Sequence, residues 1–168
     1  MSFRIILIGY MGSGKTTIGK QLSEKLSIPF IDSDQEIEEK MNKTIFQLFE
    51  DLGESRFRIL ESEFIHKLSK TSSFVLATGG GLPCFFDNML FLNDLGLTIY
   101  LKSSSEILTD RLLIDNKTRP LIKGKNKEEL NGFISLNLSS RECIYEKSRF
   151  ILDESQQNID SIVQIISQ

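Results

Sequence analysis

The chain has 168 residues, a length that suits one compact α/β domain with a substantial core and falls short of a second. With 20 basic against 23 acidic side chains and a net charge of −3, it has no general basic surface; this argues against nucleic-acid binding through the phosphate backbone, and any anionic ligand must be caught locally. Cys84 and Cys143 form no CxxC pair and accompany a single histidine, His66, so composition suggests neither a disulfide framework nor a zinc site and fits a reducing cytosol.

The apolar run Ile5–Ile8 ends at Gly9 and reads as a strand buried on both faces. It is too short to span a membrane and runs into no cleavage site, so no targeting signal is visible and a cytoplasmic location is expected. Ile18, Leu22 and Leu26 then recur at helical spacing. Pro29-Phe30-Ile31 reads as a second strand, followed by helical segments over Gln35–Met41 and Ile45–Leu52. Phe57, Leu60, Phe64 and Leu68 mark one face of a helix over Glu54–Leu68, and Phe74-Val75-Leu76 forms a strand stopped by Gly79-Gly80-Gly81. Further on come a buried strand over Leu97–Leu101, helices over Glu106–Leu113 and Lys127–Tyr145, a strand at Phe150-Ile151-Leu152 and a closing helix over Ile159–Ile166. The polar segment Asp115–Lys127 lacks apolar periodicity and reads as a mobile loop able to serve as a lid. Such alternation predicts a mostly parallel sheet with helices on both faces and ligands at the strands' carboxyl ends. No internal repeat is present.

Gly9-Tyr10-Met11-Gly12-Ser13-Gly14-Lys15-Thr16 matches G-x-x-x-x-G-K-[ST] between a strand and a helix, the flanks that a phosphate-binding loop requires. Its glycines let the backbone wrap around phosphates, Lys15 reaches the terminal phosphates and Thr16 can coordinate magnesium. The strand Phe74–Ala77 ends in Thr78-Gly79 without the acid that P-loop proteins often place there. Asp32 and Asp34, after the second strand, can substitute: one faces the metal, the other an acceptor hydroxyl. The alternative is capping, since Ser33 and Asp34 both suit the N-cap of the following helix.

Arg58 and Glu61 stand at i and i+3 and can face one pocket. Arg141 shares a helical stripe with Ile134, Leu138 and Tyr145, where an apolar residue is expected. Two guanidinium groups suit a carboxylate; surface ion pairs with Glu54 or Glu142 are the alternative. Arg119, inside the polar loop, can swing over a γ-phosphate, and Arg111 can stack on adenine; the alternative for both, and more so for Arg111, is a solvated charge. His66 has no evident partner and reads as a surface or packing residue.

In order and spacing this set resembles the shikimate kinase family over nearly the whole chain: the P-loop, Phe30-Ile31-Asp32-Ser33-Asp34, Phe57-Arg58 with Glu61, Gly79-Gly80-Gly81, Arg119-Pro120-Leu121, and Arg141 with Tyr145. The resemblance implies a three-layer α/β/α domain on a five-stranded parallel sheet, with a closing lid. It implies transfer of the γ-phosphate of ATP to the 3-hydroxyl of shikimate, in the route to aromatic amino acids. Thr16 and Asp32 would hold Mg2+, with Gly12, Ser13, Gly14, Lys15, Thr16, Thr17 and Arg119 around the phosphates. Asp34 would bind the ring hydroxyls and take the proton, Arg58 and Arg141 would hold the carboxylate, Phe49 and Phe57 would line the ring pocket, and Glu61, Gly79, Gly80 and Gly81 complete it. Arg111 and Gln157 are carried over as adenine contacts, the latter on a loop, Glu154–Asn158, that lacks the arginines or proline often found there.

A gluconate or nucleoside-monophosphate kinase shares the P-loop but should lack Asp34, Arg58, Gly80 and Arg141 together. A GTPase switch would need DxxG and NKxD, and Asn116-Lys117-Thr118-Arg119 ends in arginine. A catalytically inactive nucleotide-binding module is disfavoured by intact Lys15, Asp34 and Arg119. The expected partners are therefore ATP and shikimate, with no nucleic acid or membrane, and the expected form is a monomer.

Overall fold

A computed structural model describes residues 3–68, 73–114 and 124–167. Its elements in chain order are β1 (Arg4–Ile8), α1 (Lys15–Leu26), β2 (Phe30–Asp32), α2 (Ser33–Met41), α3 (Ile45–Leu68), β3 (Phe74–Ala77), α4 (Asn88–Leu95), β4 (Leu97–Leu101), α5 (Ser105–Ile114), α6 (Lys127–Tyr145), β5 (Phe150–Leu152) and α7 (Ile159–Ile166). The five strands form one parallel sheet in the order β2-β3-β1-β4-β5. Ile5 is paired with Val75 on one side and Leu97 on the other, which puts β1 at the centre.

Alternation along these strands feeds two cores, as a sheet buried on both faces requires. Ile6, Ile8, Leu76 and Tyr100 pack with Ile65, Leu92, Leu108, Ile134 and Tyr145 from α3 to α6. Ile5, Leu7, Val75, Ile99 and Leu101 pack with Ile18 and Leu22 of α1 and Ile162 of α7. A satellite of Ile37, Leu48 and Phe57 joins α2 to α3. The three layers expected from the alternation are therefore present.

Two details refine the sequence reading. The segments Ile45–Leu52 and Glu54–Leu68 run on as α3, broken at Gly53, whose φ of 74° and ψ of 165° are not helical. The helix α4 has no counterpart in the periodicity analysis. Its eight residues carry Met89, Leu90, Phe91, Leu92 and Leu95, too many apolar side chains in too short a span to mark one stripe.

The chain leaves β1 toward β2 but leaves β3 toward β4, and β1 and β3 are neighbours. A crevice opens where such connections diverge, at the strands' carboxyl ends. The P-loop after β1, the acids after β2 and the glycines after β3 all lie at that end.

Candidate active site

The phosphate loop is built by backbone geometry. Gly12 and Gly14 have φ of 81° and 93°, values that L side chains rarely adopt, and Gly14 is the residue from which α1 starts. The first turn of α1 presents Thr16 and Thr17, both exposed, beside the free N–H groups of the helix start. Ser13 is buried and its N–H donates to the Tyr10 carbonyl at 3.2 Å. Lys15 is folded into the loop: its Nζ donates to the carbonyl oxygens of Gly9 and Tyr10, each at 2.8 Å. Those carbonyls hold the ammonium where an incoming phosphate oxygen can compete for it.

Thr16 Oγ1 donates to Asp32 Oδ2 at 2.9 Å, so the two oxygens expected at a metal stand together. The other Asp32 oxygen accepts from the N–H of Asp34 at 3.1 Å and of Gln35 at 3.4 Å. Asp32 is thus the N-cap of α2. This corrects the capping alternative, which named Ser33 and Asp34; the cap falls one residue earlier because β2 runs through Asp32 and α2 starts at Ser33. Ser33 is buried and accepts from the Gly79 N–H at 2.7 Å. Asp34 is released from capping, and no hydrogen bond to its carboxylate is present among the described residues. Burial, and next the neighbouring Asp32, push it up to about 6, while Lys15 opposes.

Arg58 lies almost buried on α3. Its Nη1 donates to Glu61 Oε2 at 2.8 Å, and its Nη2 to Glu54 Oε1 at 2.9 Å. Glu61 is 1 % exposed, and burial pushes its carboxyl up to about 7 against the pull of Arg58. The guanidinium carbon sits 4.3 Å from the Phe85 ring centroid, with Phe49 at 5.4 Å and Phe57 at 5.5 Å. Phe57 is itself buried in the α2–α3 satellite, so it backs Arg58, whereas Phe49 is partly exposed. Arg141 stands over Tyr10 of the phosphate loop, 5.6 Å from the ring centroid. Glu142, its alternative partner, is engaged instead by Lys102 at 3.1 Å.

The three glycines after β3 join these groups. A methyl placed on Gly79 would collide with Asp34 Oδ1 and lie 3.1 Å from Glu61 Oε1. On Gly81 it would collide with the Arg58 guanidinium. On Gly80 it would lie 3.6 Å from the Met11 nitrogen, 3.7 Å from the Gly9 oxygen and 3.8 Å from Arg141 Nη1. Successive glycines therefore touch the buried carboxylates, the phosphate loop with one arginine, and the other arginine. Side chains separated by more than a hundred residues meet at one strip of backbone.

Of the two residues expected beside adenine, Arg111 donates from Nη1 to the Gly12 carbonyl at 3.3 Å. Gln157 Nε2 donates to the carbonyls of Lys102 at 2.6 Å and Leu152 at 3.1 Å, fastening its loop to the ends of β4 and β5. Arg119, Pro120 and Leu121, with most of the Asp115–Lys127 lid, lie outside the described residues. His66 is removed from the site and does have a partner: its ring stacks on Phe91 with centroids 4.1 Å apart. The sequence reading missed that contact because Phe91 belongs to the unrecognised α4.

The sequence reading gave no site-building role to Phe85, or to Ser33 and Tyr145, although the last two stand within the motifs that carry the resemblance. Ser33 reads as a cap, Phe85 lies in a loop without periodicity, and Tyr145 continues the apolar stripe of α6. Their contacts with Gly79, Arg58 and Gly80 span 46, 27 and 65 positions, beyond the reach of local pattern.

A complete phosphate loop at the head of a parallel sheet, facing a half-buried acid and two arginines, defines a P-loop small-molecule phosphotransferase. Comparison narrows the class. The family model described as shikimate kinase matches residues 11–168. The shikimate kinase of Parabacteroides distasonis is 43 % identical over 164 residues, covering 98 % of this chain and 95 % of its own. The crystal structure of shikimate kinase from Bacteroides thetaiotaomicron superposes with a TM-score of 0.89 at 42 % identity, covering 98 % of this chain and 96 % of that one. The Acinetobacter baumannii enzyme, solved in complex with shikimate, gives 0.85 at 36 % identity, with 99 % and 94 % covered. This chain belongs to the shikimate kinase family and is an ATP-dependent kinase.

Proposed function

We propose that the chain transfers the γ-phosphate of ATP to the 3-hydroxyl of shikimate, giving shikimate 3-phosphate and ADP. The observation that carries this reading is the glycine strip, which gathers Asp34, Arg58, Arg141 and the phosphate loop around one space. A carboxylated polyol fits such a set: two guanidiniums for the carboxylate, an acid that receives no hydrogen bond from the described residues for a hydroxyl, and a phosphate loop beside it.

In the proposed reaction Lys15 exchanges the carbonyls of Gly9 and Tyr10 for phosphate oxygens. The N–H groups from Gly12 to Thr17 bind the β- and γ-phosphates. Arg58 and Arg141 hold the carboxylate and so turn the acceptor hydroxyl toward Asp34 and the γ-phosphate. That oxygen attacks phosphorus as the bond to the β-phosphate oxygen breaks. The proton goes to Asp34, whose raised pKa suits a group that must accept it near neutral pH. Arg119 would neutralise charge developing on the phosphoryl group.

Thr16 and Asp32 would hold Mg2+. Their oxygens are hard donors already in contact at 2.9 Å, and among the described residues no cluster of three or more His, Cys, Asp or Glu exists to hold a metal alone; phosphate and water would complete its shell. When bound, the ion supplies charge neutralisation on the phosphate oxygens. Arg111 and Gln157 are proposed to border adenine, and the Asp115–Lys127 segment, most of which lies outside the described residues, is proposed as the lid. We further propose one catalytic domain acting as a cytoplasmic monomer, a setting in keeping with two free cysteines and with no described helix long and apolar enough to cross a membrane.

Coupled measurement of ADP release with and without shikimate tests the reading. ADP should form only with shikimate present, and phosphorus NMR should show a phosphate monoester on the acceptor. ADP release indifferent to shikimate would overturn the assignment.

A further inference from the structure

The strip Gly79-Gly80-Gly81 is held at every carbonyl. The Gly79 N–H donates to Ser33 Oγ at 2.7 Å. The Gly79 carbonyl accepts from the Leu82 N–H at 3.2 Å, and the Gly81 carbonyl from the Cys84 N–H at 2.9 Å. Both of these are local turn bonds. The Gly80 carbonyl alone is fixed from a distance, by the Tyr145 hydroxyl at 2.5 Å. No acceptor for the N–H of Gly80 or Gly81 is present among the described residues.

In a planar peptide the N–H points opposite to the carbonyl that precedes it. The hydroxyl that holds the Gly80 carbonyl therefore aims the Gly81 N–H. Glycine residues hold such an orientation poorly by themselves, since they lose more conformational freedom than any other residue when ordered. Tyr145 is well placed to supply the order: it is fully buried, its ring packs against Tyr100 with centroids 5.2 Å apart, and it lies one turn beyond Arg141 on α6. Burial raises the pKa of its phenol, so the hydroxyl keeps its proton and donates.

We propose that Tyr145 is a positioning residue of the acceptor site, whose hydroxyl fixes the Gly80–Gly81 peptide and ties the helix carrying Arg141 to it. The inference rests on the acceptor reading of the glycine strip given above. Without the hydroxyl the strip samples other peptide orientations, and apparent acceptor affinity falls by the fraction of time spent in the competent one. Nucleotide groups are untouched.

The test is Tyr145→Phe, which keeps the ring and its packing, beside Tyr100→Phe, a neighbouring buried ring whose hydroxyl is 3.5 Å from Glu142 and away from the strip. For Tyr145→Phe the KM for shikimate should rise about tenfold, as for a buried acceptor left unpaired. Its kcat and KM for ATP should stay within about twofold of wild type, and Tyr100→Phe should leave all three unchanged. In parallel, the backbone amide resonances of Gly80 and Gly81 in the ligand-free protein should shift and broaden in Tyr145→Phe but not in Tyr100→Phe. An unchanged shikimate KM, equal changes in both variants, or unmoved glycine resonances would overturn the proposal. If wild type fails to phosphorylate shikimate, the acceptor reading falls, and the glycine resonances still decide whether Tyr145 orders the strip.

Discussion

Asp34→Asn should inactivate the protein and stabilise it at once. The carboxylate is half-buried, has Asp32 beside it and receives no hydrogen bond from the described residues, so its ionised form is held against its own solvation. Raising a carboxyl from 3.8 to about 6 corresponds to at most about 3 kcal/mol against the ionised folded state, at about 1.36 kcal/mol per pH decade. The sign follows from proton counts. Between pH 4 and 6 the folded protein binds more protons at this site than the unfolded chain, so wild type loses stability as pH rises through that window. Asparagine does not titrate. The stability gap in favour of the variant should open from near zero at pH 4 to about 1 to 3 kcal/mol above pH 6.5 and stay flat beyond. The own titration of Glu61, pushed up to about 7, is present in both proteins and largely cancels. Urea unfolding followed by circular dichroism at pH 4.5, 6 and 8 measures the gap, and the coupled kinase assay should show kcat at least about 100-fold down. A variant less stable than wild type at pH 8, a gap independent of pH, or near-native kcat would refute the reasoning and leave Asp34 a structural residue.

Arg58→Ala and Arg141→Ala should each lose about 2 to 4 kcal/mol of shikimate binding, or roughly 30- to 1000-fold, with nucleotide affinity little changed; Arg141→Lys should recover only part, and a neutral amide analogue of shikimate should bind wild type poorly but narrow its deficit in the alanine variants, as calorimetric titration would show. Because Glu54 already occupies the Nη2 edge of Arg58, an equal affinity of wild type for acid and amide would mean that this guanidinium serves Glu54 and Glu61 alone. The glycine strip predicts unequal responses to one methyl: Gly79→Ala collides with Asp34 and should unfold at lower denaturant or lose activity outright, while Gly80→Ala meets only ordinary contacts of 3.6 to 3.8 Å. Gly80→Ala should therefore fold normally and show its defect in shikimate KM, and thermal melts with steady-state kinetics separate the two.

The parts of this site that the sequence makes visible are those whose chemistry is local. A phosphate loop needs its glycines, lysine and threonine within eight positions because one turn and one helix start carry all of its groups, and Lys15 and Thr16 stand at such a turn and helix start. Arg141 is visible for a related reason: on a helix, an ion at an apolar position of the stripe stands out against its own neighbours. The identity of the α2 cap is not visible, since Asp32, Ser33 and Asp34 are all good caps and the choice depends on where β2 stops pairing with Ala77. That choice matters chemically: capping occupies one Asp32 oxygen and leaves the other for Thr16, and it frees Asp34 altogether. Still less visible are the Ser33 and Tyr145 bonds to the glycines, because they depend on β3 lying between β1 and β2, a fact of strand order to which no window of sequence is sensitive. Strand order, in turn, accounts for this arrangement: inserting β3 between β1 and β2 puts a side-chain-free strip between the phosphate loop and the acids Asp32, at the end of β2, and Asp34, at the start of α2. On the proposed reading, acceptor and nucleotide would meet across this backbone, with Asp34, Arg58 and Arg141 arriving from α2, α3 and α6 around it.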